Sequence, residues 1–77
     1  MASAIDKRIG ANIRDRRLAL GVSQETLGRD IGVTFQQIQK YERGVNRIAA
    51  ARLFGVALAL KAPVASFFEG LGAKAAR

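Results

Sequence analysis

Apolar residues recur at helical spacing along most of the chain, and glycines, a proline and capping residues cut the pattern into five pieces. Ile5, Ile9 and Ile13 repeat every fourth residue and Leu20 follows seven later, one stripe of a first helix over about 4–20. Arg17 falls inside that stripe, and a guanidinium on a buried face requires a carboxylate partner. Gly21 closes the helix. Ser23 suits the N-cap of a second helix over about 24–31, with Leu27 and Ile31 facing inward. Gly28 costs up to about 1 kcal/mol against alanine in mid-helix, which a second helix crossing closely at that point would explain. Gly32 then breaks the chain with a positive φ. A third helix over about 34–43 opens at Thr34, which fits a capping box with Gln37, and stops at Gly44.

At about 100° per residue, Phe35, Ile38 and Tyr41 share one face of the third helix. Gln36, Lys40 and Arg43 lie opposite, with Gln39 at the edge of their face. Glu42 falls toward the apolar side and is the expected partner of Arg17. A fourth helix over about 49–61 puts Leu53, Val56 and Leu60 on one face, flanked by Phe54, Ala57 and Leu58. So wide an apolar surface predicts burial on more than one side. Pro63 opens a fifth helix over about 63–69, with Val64, Phe67 and Phe68. Adjacent phenylalanines diverge on so short a helix, so one enters the core and the other, with Val64, is offered for self-association. Gly70 and Gly72 close it, and the tail 71–77 is expected to fray. No strand pattern or repeat is present, and the expectation is one all-α domain over 1–77 with an ordered core over about 5–70.

Charge narrows the class. Lysine and arginine number 13 against 6 acidic residues, a net charge of +7 that points to a polyanion, either nucleic acid or an anionic membrane. The plain alternative is a basic surface that only maintains solubility. No apolar run approaches the roughly 20 residues of a membrane span. The N-terminus lacks a hydrophobic signal core and there are no cysteines, so the cytoplasm is the expected compartment. Without histidine, cysteine or paired carboxylates, no enzyme, metal site or cofactor is expected. Glutamine offers a donor and an acceptor together, as reading a base edge requires, so the amides Gln36, Gln37 and Gln39 beside Lys40 point to DNA.

Several of these features together carry a resemblance. They are the SQETL start of the second helix, Gly28, Gly32, the Ile38 to Gly44 ending with Tyr41, Glu42 and Arg43, the NRI that follows, and the later FFEG. Over about 5–70 the chain resembles the phage repressor/Cro helix-turn-helix family of bacterial transcriptional regulators. The resemblance implies a compact five-helix, lambda-repressor-like domain whose third helix enters the major groove. It carries base reading onto Phe35, Gln36, Gln39 and Lys40, a phosphate contact onto Gln24, and an ion pair onto Arg17 and Glu42.

Thr34, Arg43, Asn46 and Arg47 join Gln24 as phosphate candidates; Arg43 and Arg47 are otherwise surface charge. Gln37 is read as the capping partner of Thr34 rather than a base reader. Phe35 either touches a thymine methyl or completes the core between the second and third helices, with the balance toward the core. The chain departs from the family after the third helix, where Ile48, Ala49 and Ala50 replace a proline and extra basic residues.

The reading is a homodimer on double-stranded DNA, joined through the fifth helix at Val64, Phe67 and Phe68, with no small-molecule site. A phage-type repressor, a restriction-modification controller, a toxin–antitoxin autoregulator and a general regulator all fit it. A protein-interaction module bridging the transcription machinery is the alternative from another class. A membrane-binding basic peptide is disfavoured by the alternation of capped helices.

Overall fold

Ser3 starts the first helix with a reciprocal cap: its hydroxyl accepts from the Asp6 N–H, and the Asp6 carboxylate accepts from the Ser3 N–H. The computed structural model describes residues 3–71, and four α-helices occupy most of that span: α1 (Ala4–Ala19), α2 (Gln24–Ile31), α3 (Phe35–Glu42) and α4 (Ala50–Ala59). Ser23 and Thr34 cap α2 and α3 through their hydroxyls, whereas Ala49, before α4, offers no side-chain cap. The Thr34 cap is one-sided: it accepts from the Gln37 N–H, and among the described residues the Gln37 side chain makes no return bond.

At eight residues each, α2 and α3 are too short to be stable alone, so packing holds them. Both lie against each other; α1 covers α3, α4 covers α2, and the segment Val64–Phe68 returns to α1. Ile9, Ile13, Leu27, Ile38, Leu53, Val56, Ala57, Leu60 and Phe67 form a single core.

The buried face of α1 is rotated from the isoleucine stripe. Asp6, Ile9, Gly10, Ile13 and Arg17 point inward, while Ile5 and Leu20 are exposed. Gly10 causes this. A Cβ there would run into the Tyr41 carbonyl, so α1 and α3 meet at backbone distance and that contact sets the rotation. Ile5 is then turned aside, and Leu20 lies at the cap, past the last turn. Gly28 also packs against backbone, but the backbone is that of the turn and not a second helix. A Cβ would stand 2.5 Å from the Val33 oxygen, and the Val33 N–H donates to the Gly28 carbonyl at 2.8 Å. Gly32 has φ 80°.

Two further expectations are corrected. The fifth helix is a 3₁₀ segment, Val64–Phe68, so the described residues contain four α-helices and not five. Pro63 is extended, with ψ 142°, and stands before the segment instead of inside it; Glu69 is extended too, which leaves room for i→i+3 bonds only. On α4, Phe54 and Leu58 are 58% and 66% exposed, because neighbours cover only the face bearing Leu53, Val56 and Leu60. From Gly72 onward, the tail expected to fray lies outside the described residues.

Side chains close the ends that the helices leave open. Arg16 donates from Nε to the Leu60 carbonyl at 2.8 Å and from Nη2 to the Lys61 carbonyl at 2.9 Å. Asn12 Nδ2 donates to the carbonyls of Phe67 and Glu69, and Arg52 Nη1 to that of Ile31. Lys61, at φ 56°, terminates α4 in the left-handed region that favours glycine.

Two substitutions should move stability in opposite directions. Gly10→Ala should lower it by about 3 kcal/mol, since the obstructing atom is backbone and cannot yield. Lys61→Gly should raise it by about 0.5–1 kcal/mol by removing left-handed strain, less the added freedom of the unfolded chain. Urea denaturation midpoints measure both.

Candidate nucleic-acid interface

The outward face of α3 is set from behind. Ile38 is buried, and the carboxylate of Glu42 lies beneath the helix in a two-pronged bond with Arg17. Nε of Arg17 donates to Oε2 at 2.6 Å, and Nη2 to Oε1 at 3.0 Å. A third donor, Nη1, reaches the Val22 carbonyl at 2.8 Å. The second lone pair of Oε1 accepts from Gln24 Nε2 at 3.0 Å. One buried pair therefore ties α1, the segment before α2, α2 itself and α3 together.

With Glu42 turned inward, α3 has no carboxylate on its outer surface, because Glu42 is its only acidic residue. Gln36, Lys40 and Arg43 are exposed, and Gln39 is half-buried beside them. Successive turns thus carry an amide, an ammonium and a guanidinium, which can donate to phosphates and base acceptors; only the amides also accept.

Phe35 is not part of the core. It is 38% exposed in the first turn of α3 and lines an open cleft with Glu25, Arg29, Val33, Thr34 and Gln36. The wheel angle of Phe35 matches the buried side, but the core stops a turn further along the helix, and across the cleft stand Glu25 and Arg29.

The phosphate candidates divide. Thr34 is exposed at the start of α3, and Arg43 is exposed at its end. Asn46 is half-buried, its backbone N–H donating to the Lys40 carbonyl at 3.4 Å. Gln24 is half-buried, and one N–H of its amide is committed to Glu42, which leaves the second N–H and the backbone of the α2 terminus as donors. Arg47 is exposed, but its Nε donates to the Asp6 carboxylate at 3.4 Å.

Asp6 is a partner that helical periodicity does not single out, although Ser3 and Asp6 have the spacing of a capping box. The Ser3 backbone N–H is the largest influence on its carboxyl, and with the Ser3 hydroxyl and Arg47 it holds the pKa below the usual value. The stabilisation this reflects is fully present above the ordinary carboxylate range and fades as pH falls through the lower folded value.

At the far end, Phe67 is 1% exposed and belongs to the core, so it is not available to a partner as expected. Phe68 remains exposed, Val64 is half-buried, and the exposed Phe54 and Leu58 add apolar surface that the helical wheel assigned to the interior.

A family model described as helix-turn-helix matches residues 13–67. An uncharacterised transcriptional regulator in the ATPase CF(0) region of Rhodospirillum rubrum is 57% identical over 67 residues, covering 87% of this chain and 62% of its own length. An uncharacterised HTH-type transcriptional regulator of Sinorhizobium medicae is 55% identical over 65 residues, covering 84% and 47%. The chain thus spans roughly half the length of the curated relatives it matches.

Among solved structures, the restriction-modification controller protein C.AhdI from Aeromonas hydrophila superposes with a TM-score of 0.81 at 29% identity, covering 86% of this chain and 100% of that one. The P22 c2 repressor in complex with a synthetic operator gives 0.74 at 29% identity, covering 80% and 94%.

Glu42→Gln should cost about 3–5 kcal/mol, because Arg17 stays buried without a counter-charge. Adding Arg17→Met and converting position 42 to Leu should recover more than half of that loss, which thermal denaturation of the two variants measures.

Proposed function

Since the chain belongs to the helix-turn-helix family of DNA-binding transcriptional regulators, we propose that α3 enters the major groove and reads sequence there. The observation that carries this reading is the outward row of Gln36, Gln39, Lys40 and Arg43 on a helix whose one carboxylate is turned away and paired. Gln36 offers an amide suited to bidentate bonding with adenine, and Lys40 an ammonium suited to guanine O6 and N7. Gln39 reaches the flanking base. Phe35 supplies an apolar contact for a thymine methyl, and its exposure supports that role over the core. Gln24, Thr34, Arg43, Asn46 and Arg47 hold phosphates on either side and fix the register.

The protein acts as a homodimer on an inverted-repeat operator, with half-sites about 34 Å apart along the duplex. Phe68 and Val64 form the pairing surface, extended by Phe54 and Leu58, and Phe67 backs it from the core. Charged substitution of this surface should leave the core intact, since none of the three large exposed side chains contributes to it. The protein works in the cytoplasm, on chromosomal or phage DNA, and it regulates by occupying promoter sequence. The P22 repressor in complex with a synthetic operator is one solved neighbour that supports DNA as the ligand.

Gln36→Ala and Lys40→Ala should each weaken binding to the preferred sequence about tenfold or more, and binding to random duplex far less, in a fluorescence anisotropy titration. Equal losses on both DNAs would remove the base-reading role. Separately, Leu58→Glu combined with Phe68→Glu should shift the protein from dimer to monomer in sedimentation equilibrium and lower operator affinity. A wild-type monomer that binds a single half-site at full affinity would contradict the two-fold arrangement.

A further inference from the structure

The loop between α3 and α4 lies on the first turn of α1. Gly44 marks the contact: a Cβ there would stand 2.6 Å from the Lys7 Cα, and φ is 71°. The Val45 N–H closes onto the Lys40 carbonyl at 3.0 Å, so the loop leaves α3 in one direction. Three residues beyond Gly44, Arg47 extends back over the same turn and meets Asp6.

The two partners differ sharply in exposure. The Asp6 side chain is 8% exposed, and that of Arg47 is 69%. Asp6 is itself held in place, its Oδ2 accepting from the Ser3 N–H at 2.7 Å and the Ser3 hydroxyl at 3.0 Å. It takes only the Nε proton of Arg47. The two terminal nitrogens, with four N–H donors, have no protein partner among the described residues.

We propose that Asp6 is a positioning residue for DNA binding: by anchoring Arg47 through Nε, it aims the free end of the guanidinium at a backbone phosphate. The inference rests on the reading of Arg47 as a phosphate contact. An unanchored arginine samples many rotamers and must be ordered when it binds. Anchoring removes part of that cost in advance, as preorganisation does elsewhere. The carboxylate also neutralises one side of the guanidinium and leaves the other for the phosphate.

The proposal makes a prediction opposite in sign to simple electrostatics. Removing a negative charge from a DNA-binding surface ordinarily strengthens binding, whereas Asp6→Asn should weaken it. Random-sequence duplex is the probe, because a phosphate contact is read without an operator. The wild-type chain, Asp6→Asn, Arg47→Ala and the double variant are titrated at several salt concentrations, each shown folded by circular dichroism at the assay temperature.

Asp6→Asn is expected to lower affinity about threefold to tenfold and move the salt slope toward that of Arg47→Ala, which itself loses about one unit of slope. In the Arg47→Ala background, Asp6→Asn should cause no further loss. Ser3→Ala, which removes both hydroxyl bonds to Asp6 but leaves the Ser3 N–H and Arg47 on its carboxylate, should lose clearly less than Asp6→Asn.

Unchanged or tighter binding by Asp6→Asn would overturn the proposal. So would an equal loss with and without Arg47, or a loss by Ser3→Ala as large as that of Asp6→Asn, since either assigns the effect to the helix cap. If Arg47→Ala alone leaves affinity and slope untouched, the phosphate role of Arg47 fails first, and the positioning role with it.

Discussion

The buried pair of Arg17 and Glu42 is the constraint on which the arrangement of α3 depends. Two charges without a partner could not stay inside so small a core, and the geometry here meets their needs almost completely: two bonds between them, one from Arg17 to Val22 and one from Gln24 to Glu42. Each bond crosses from one element to another. The pair therefore does more than neutralise itself. It sets the distance between α1 and α3 together with Gly10, and it draws Gln24 at the α2 terminus toward α3. It also takes the one acidic residue of α3 off the surface, so the face that remains outward carries only neutral and positive groups.

Much of this was legible because helical periodicity and ion pairing are local or pairwise rules. The spans of α2 and α3, the turn at Gly32 and the facing of Gln36, Lys40 and Glu42 follow from spacing and capping alone. What was not legible depends on which neighbour arrives. Ile5 has the period of a core residue, but the backbone contact at Gly10 turns α1 away from it. Phe54 and Leu58 are as apolar as Leu53 and Val56, and only the single layer of neighbours over α4 distinguishes them. The last segment failed as an α-helix because extended residues at both ends leave it five residues long. Phe35 shows the same limit inside the site: a wheel gives an angle, not where along the axis the core stops.

Recognition and positioning are separated in this chain by stiffness. The side chains proposed to read bases stand on a helix pinned from behind by a buried pair. Those proposed to hold phosphates lie at helix ends and on a loop braced by α1 through Gly44 and Asp6. A few base contacts at about 1–3 kcal/mol each confer limited discrimination on one subunit, and pairing two subunits doubles it. In the proposed homodimer, the exposed apolar side chains of Phe54, Leu58 and Phe68 would be covered.

The central claim is that a rigidly held α3 reads base sequence, one copy per half-site. In vitro selection from a random pool of double-stranded DNA tests it most directly. The account predicts an enriched inverted repeat whose half-site centres lie about one helical turn apart. A pool that remains without a motif after successive rounds, though the protein still retains DNA, would contradict it.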